Sequence, residues 1–328
     1  MMTSGFVEAR SCVRKMRGGA QSHLLRADDG HSYVVKFRNN PQHRRILVNE
    51  LIASTVLQHL GVWSPATTMV RITPGFRAAH PGVNLQFPTA RVPIEDGLHF
   101  GSRYPGDPSH ATVYDFLPDP LLRNVLNLED FLAVLVVDKW MGNADSRQCI
   151  FCRASAPPAG QGDPNAQWVA SMIDHGGIFT GPQWDFRAAP FQGLYCRKAV
   201  YERVRSLDDF QPWLEQVAGF PERVIEDVQR RVPLAWIEND EDALQALLER
   251  LFERRHRVAE LIWSSHAAVK HLFPQWSTHV AMRAPIRESV IAWPHSRRGQ
   301  LENPACHANA GPKLVPVPLK PAVTATVQ

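Results

Sequence analysis

The sequence predicts an α+β fold, with strands at the front of its 328 residues and helices behind. Three observations predict it. A β-branched and aromatic run follows a strong hairpin turn near the N-terminus. Two long apolar segments with helical periodicity come next, and capped helical segments dominate after residue 206.

Taken in order, Gly18-Gly19 opens a turn and residues 22–26 form a short strand. Asp28-Asp29-Gly30 is a hairpin signal, because Gly accepts positive φ. Residues 32–37 (Ser-Tyr-Val-Val-Lys-Phe) read as the partner strand, and Asn39-Asn40-Pro41 ends it. A helix is expected over 44–60, where Leu47, Leu51, Val56 and Leu60 keep near-helical spacing and Gly61 stops it. Residues 62–72 return as strand. The stretch 73–125 is rich in Gly, Pro and His, and reads mostly as loop with short strands at 84–87 and 112–116. A second helix is expected over 127–141, with Asn127 as its cap, followed by a polar loop, Gly142 to Ser146. Residues 148–152 and 168–173 read as two strands around an Ala/Pro/Gly linker at 154–167. Helices are expected at 207–217, 222–231 and 239–264, the last opened by Asn239. From 277 periodicity is lost, and the Pro-interrupted run 313–321 suggests a disordered or extended tail.

Composition bounds the function. Hydrophobic residues make up 44% and charged residues 21%, enough for a core without disulfides. The net charge of +4 suits an anionic ligand and lacks the concentration expected of a dedicated nucleic-acid binder. No run approaches the ~18 apolar residues of a membrane span. Five scattered cysteines (Cys12, Cys149, Cys152, Cys196, Cys306) and no signal-like N-terminus point to a reducing cytoplasm. Cys149-x-x-Cys152 has no second Cys pair, and on a strand its members face opposite sides, so both read as packing residues.

Phosphoryl transfer from ATP needs backbone N–H groups and a Lys for the phosphates, a carboxylate to hold that Lys, another to orient the acceptor, and one for the metal. The chain supplies these types in order: Gly18-Gly19-Ala20-Gln21-Ser22, Lys36, Glu50 in the first helix, Asp145 after the second, and Asp174 after a strand. Each alone has a plainer reading as a turn or surface residue. Their order gives them weight.

Val34-Val35-Lys36-Phe37, Val48-Asn49-Glu50, Asp138-Lys139-Trp140-Met141-Gly142-Asn143-Ala144-Asp145 and Ile173-Asp174-His175-Gly176-Gly177 resemble the HipA-like kinase family, in its shorter branch. The resemblance covers roughly residues 16–265. It implies a two-lobed protein-kinase-like fold: a β-rich nucleotide-binding lobe over 1–90, a mainly helical catalytic lobe over 91–276, and a tail. It also implies an ATP- and Mg²⁺-dependent phosphotransferase acting on a Ser/Thr hydroxyl, with self-phosphorylation at Ser22 in the Gly18–Ser22 loop as one route. Lys36 would contact phosphates and pair with Glu50. Gly18, Gly19, Gln21 and Ser22 would face the nucleotide. Asp145, with Asn143 beside it, would orient the acceptor hydroxyl, and Asp174 would ligate the metal. Kinases place a second metal-binding Asn five positions after the catalytic Asp. Here that position is Ile150, and Gln148 is the nearest downstream amide. The departure keeps a nucleotide-binding pseudokinase or regulatory module open, and a small-molecule kinase on the same fold is a separate reading, since the open stretch 73–125 could shape either kind of acceptor site. Arg254, Arg255 and Arg257 read as a solvated basic stripe, and Trp184 and Phe186 as core aromatics.

Overall fold

A computed structural model describes residues 5–110, 112–154 and 167–277. The interior of the 154–167 linker and the tail beyond Ser277 lie outside the described residues, as does Cys306. The N-terminal hairpin forms as its turn predicts: β2 (His23–Ala27) pairs antiparallel with β3 (Ser32–Lys36), and Gly30 takes φ 80° between them.

Two strands that the sequence reading passed over complete this sheet. β1 (Phe6–Lys15) pairs antiparallel with β2 and parallel with β4 (Thr67–Ile72). β7 (Gly97–Arg103) lies between β3 and β4, so the order β1-β2-β3-β7-β4 closes into a barrel. β7 falls within the stretch expected to be loop, and it carries the barrel past residue 90, the boundary the sequence suggests. Its Gly-Leu-His-Phe-Gly-Ser-Arg composition hides it. Gly101 is required because any Cβ there would run into Val70 Cγ2. His99 is fully buried as a hydrogen-bonded ring. Leu25, Val35, Phe37, Val70 and Ile72 fill the interior.

The rest of 73–125 also carries more structure than expected. Thr73 caps α2 (Pro74–Ala79) through Phe76 N–H. β5 (Asn84–Gln86) pairs with β6 (Arg91–Pro93), and α3 (Asp119–Leu122) follows. Residues 112–116 form no strand beyond one bridge, Tyr114 to Phe151.

α1 (Arg45–His59) is buried on almost every side, from Ile46 to Leu57. α4 (Asp130–Met141) is buried likewise, with Asp138 and Lys139 included. Helices apolar all round sit at the centre of a fold. These two share one core with Trp140, Phe131, Leu51 and Val56. Asn127 does not cap α4. Its amide instead ties the helix to β9 (Trp168–Ile173), accepting from Ala170 N–H and donating to Ala170 O. β9 pairs antiparallel with β8 (Gln148–Arg153), where Cys149 and Cys152 are buried and free.

α5 (Lys198–Tyr201), α6 (Trp213–Ala218), α7 (Glu222–Arg231) and α8 (Leu234–Ile237) pack around α1 and α4. The expected 207–217 helix is a 3₁₀ turn (Leu207–Phe210), then α6, with Pro212 between them. The expected 239–264 helix is two: α9 (Glu241–Arg254) and α10 (Val258–Ala268), separated by a 3₁₀ turn at Arg255–Arg257. Asn239 does not open α9; it has φ 63°, and Asp240 pairs with Arg45 of α1. The strand expected over 62–72 is shorter, because Trp63 spends its backbone on Asp130 and Met172. No helix among the described residues is long and apolar enough to cross a membrane.

Candidate active site

Lys36 ends β3 and points at α1. Its Nζ donates to Glu50 Oε1 and, at 2.7 Å, to Asp174 Oδ1. The side chains of Lys36 and Glu50 are 11% and 4% exposed, whereas that of Asp174 is 40% exposed. One cation therefore joins three elements: a barrel strand, the central helix and the loop after β9. Burial alone would lower the Lys36 pKa, but Glu50 and Asp174 overcome it and hold the ammonium charged. Lys36 in turn holds Asp174 below the usual carboxylate range. Burial pushes Glu50 up, and Lys36 opposes that. Glu50 also accepts the His175 N–H at 3.0 Å.

The loop Asp174-His175-Gly176-Gly177 is shaped by close approach. Asp174 sits in the left-handed region at φ 57°, a costly conformation for a non-Gly residue that surrounding contacts must impose. A Cβ on Gly176 would lie 2.7 Å from Ile46 Cγ2. A Cβ on Gly177 would lie 2.7 Å from Asn143 Oδ1 and 2.8 Å from Asp145 Cγ, and closer still to Asp145 Oδ2. Glycine is thus what lets the Asp174 loop abut the Asp145 carboxylate.

Asp145 is exposed, and the loop presenting it is held by buried polar groups. Gly142 ends α4 at φ 61°. Asn143, fully buried, donates Nδ2–H to Asp138 Oδ1 at 3.0 Å, and its Oδ1 accepts from Asp145 N at 3.1 Å. Ala144 N donates to Gly177 O, and Gly193 N to Asp145 O, both at 2.8 Å. Asp145 is clamped between two loops by its neighbours' backbones.

Two residues outside the expected site set complete this support. Arg147 is fully buried and forks onto Asp138, with Nε to Oδ2 and Nη2 to Oδ1 both at 2.8 Å. Its Nη1 donates to Ile173 O at 2.8 Å and to His175 Nδ1 at 3.0 Å. His175 is therefore neutral: burial, then Arg147, press its pKa well below the ordinary value. Asp138 and Arg147 lie nine residues apart on either side of Asp145, and that flanking was the signal the sequence offered for them.

The remaining expected residues are placed as follows. Gln148 is exposed at the start of β8, opposite Ile173 and so one residue from Asp174. Ile150 pairs with Ser171 inside the same hairpin. Gly18, at φ 112°, and Gly19 form the turn between β1 and β2, and Gly19 lies against Gln42. The Gln21 side chain is engaged elsewhere: its Oε1 accepts from Gln86 N and Lys15 Nζ, and its Nε2 donates to Gln86 O. Ser22 is 6% exposed and so is not presented as an acceptor. Trp184 is buried and donates to Asn49 Oδ1, as a core aromatic does.

Among the described residues no three His, Cys, Asp or Glu side chains form a metal cage. Asp174, with one oxygen on Lys36 and its side chain partly open, matches an ion held by one or two carboxylates and by phosphate oxygens.

Residues 10–153 match the model of the HipA-like kinase family, a span that contains Lys36, Glu50 and Asp145 and stops before Asp174. No curated protein sequence matches. Two solved structures of a Golgi casein kinase are similar at 10% identity. One, with Mn/ADP bound, has a TM-score of 0.44 and covers 80% of this chain and 73% of its own. The other scores 0.43, covering 80% and 72%. Likeness at that level carries no inference about activity.

Proposed function

We propose that this chain is a HipA-like phosphotransferase that moves the γ-phosphoryl of ATP to a hydroxyl, with Mg²⁺ as the required ion. The observation that carries the reading is the joining of Lys36, Glu50 and Asp174 in one contact set, with Gly177 of the same loop seated on Asp145. The family match over residues 10–153 supports it.

In this reading the barrel is one lobe, the helices are the other, and the nucleotide lies between them. Lys36, kept charged by Glu50, binds phosphate oxygens. Asp174 holds the metal, which when bound neutralises phosphate charge. Gln148, beside Asp174 across the hairpin, is the side chain available to contribute a second oxygen. Asp145 orients the acceptor hydroxyl and takes its proton late, in a loose transition state. Gly18 and Gly19 offer backbone N–H groups to the phosphates. The acceptor is a Ser/Thr of a protein or a small-molecule hydroxyl. Self-phosphorylation at Ser22 would require its turn to open, since Ser22 is buried.

One observation favours a second reading, a nucleotide-binding pseudokinase. Ile150, standing where a metal-binding amide is expected, has no side-chain oxygen to offer.

The test is Mg²⁺-dependent ATP turnover of wild type and Asp145→Asn, with nucleotide binding measured on both. Turnover that collapses in Asp145→Asn while binding persists is the expected result. Binding without turnover in either, across protein and small-molecule acceptors, favours the second reading. No nucleotide binding refutes both.

A further inference from the structure

The basic stripe expected on the last helix is broken by Arg254, which is 8% exposed. Its Nε donates to Lys139 O at 3.2 Å, and its guanidinium lies 5.2 Å from the Phe186 ring centre. Among the described residues its two terminal nitrogens carry no hydrogen bond. Lys139 is 5% exposed, and its Nζ donates to three backbone carbonyls, Ala189 (3.4 Å), Pro190 (3.0 Å) and Gln192 (2.6 Å).

Among the described residues neither cation forms a salt bridge, although Glu260 lies near enough to favour the charge on Arg254. Asp138 is adjacent, but both its oxygens are taken by Arg147. Burying a charge without a counter-charge is costly, and two like charges facing one space add to that cost. Both cations line the same cavity of about 40 Å³, with Gly142, Ser264 and Asp138, whose two oxygens face Arg147. At roughly 10–15 Å³ per water, that is room for about three water-sized groups. A tetrahedral oxyanion has that size and supplies the missing charge.

We propose that this cavity is an oxyanion site, separate from the Lys36–Asp174 cleft, in which Arg254 is the donor and Lys139 the second positive charge. The ligand class is a phosphate- or sulfate-sized dianion. Arg254's free terminal nitrogens can bind two oxygens at once. The occupant would fasten α4 to segment 188–192, whose next residue, Gly193, holds the Asp145 backbone.

Protons report on the site. Burial depresses the Lys139 pKa to about 8, Asp138 opposes this, and Arg254 adds to it. Arg257 and Glu260 act on Arg254 from the 3₁₀ turn after α9 and from α10, and segment 188–192 presents carbonyls to Lys139. A dianion raises the Lys139 pKa, so binding near pH 8 takes up protons. Sulfate does not titrate there and is the cleaner probe.

The experiment is calorimetric titration of the full chain with sodium sulfate at pH 8, in two buffers of different ionisation enthalpy, with chloride holding ionic strength. It uses wild type, Arg254→Gln, and Lys36→Met/Glu50→Gln to disable the other anion-attracting cleft. Expected are saturable binding with proton uptake, retention in the double variant, and weakening of at least about tenfold in Arg254→Gln. Binding unaffected by Arg254→Gln, binding lost in the double variant, or heats no larger than with chloride would overturn the proposal. Should Arg254→Gln not fold, Arg254→Lys takes its place, keeping the charge but losing the two-nitrogen fork, and binding that it leaves unchanged refutes the site.

Discussion

Gly177→Ala separates the chemistry of this fold from its stability. Gly177 has φ −75°, which alanine adopts without strain, so the substitution acts only through its added methyl. That methyl would lie 2.8 Å from Asp145 Cγ and 2.7 Å from Asn143 Oδ1, against about 3.4 Å for ordinary contact. Asn143 is buried and bonded on both sides, so it gives little. Asp145 is exposed at its carboxylate and must move by at least about 0.6 Å, the difference between 3.4 and 2.8 Å. Misplacing a reacting group by about 1 Å costs roughly a hundredfold in rate. Turnover should therefore fall roughly ten- to a hundredfold. Overpacking costs about 1–3 kcal/mol, since Asp145 can yield toward solvent but buried Asn143 cannot. Nucleotide affinity should hold, since Lys36 and Asp174 are untouched. The assay is ATP turnover with Mg²⁺, beside nucleotide binding and thermal unfolding of the same sample. Full turnover in Gly177→Ala, with the fold intact, would refute the placement of Asp145 as the reacting carboxylate.

Three further outcomes are expected. Asp138→Asn strands the buried Arg147 charge, so denaturant unfolding should show a loss of about 3–5 kcal/mol, and a loss under about 1 kcal/mol would refute the pairing. Lys36→Met should weaken nucleotide binding and leave Glu50 buried without its cation; adding Glu50→Gln should recover stability but not binding, as paired unfolding and binding titrations would show. Acid should destabilise the barrel through His99, whose Nδ1 accepts from Arg38 N and whose pKa burial lowers to about 4. As pH falls from about 6.5 to 4, the unfolded chain protonates this ring while the folded one does not, so stability drops, by up to about 3 kcal/mol from this residue. Buried, neutral His175 adds in the same direction. A His99→Gln variant with the same pH slope as wild type would remove His99 from the account.

Local patterns were legible where short-range physics decides. β9 and α7 were read to the residue, and α1 and β3 to within one, because turn glycines, apolar spacing and β-branched runs act within a few positions. The ordered set Lys36, Glu50, Asp145 and Asp174 could likewise be read from motif and resemblance. β1 and β7 could not. β1 is long and bulged with much of its surface open, and β7 has glycine and histidine where a strand pattern asks for apolar residues. Their strand character comes from partners distant in sequence. Asn127 and Asn239 carried helix-start chemistry that tertiary contacts redirected, the first to Ala170 and the second into a left-handed turn.

The sequence by itself determined which reactive groups this protein owns, in what order, and which of its segments coil or extend. Tertiary structure alone decided which charges meet. Lys36 bonds Asp174 across 138 positions of chain, Arg147 is buried on Asp138, and Arg254 turns inward from an expected surface stripe. The physical reason is that an ion pair's worth depends on distance and on water excluded around it, and both are set by packing rather than by position along the chain.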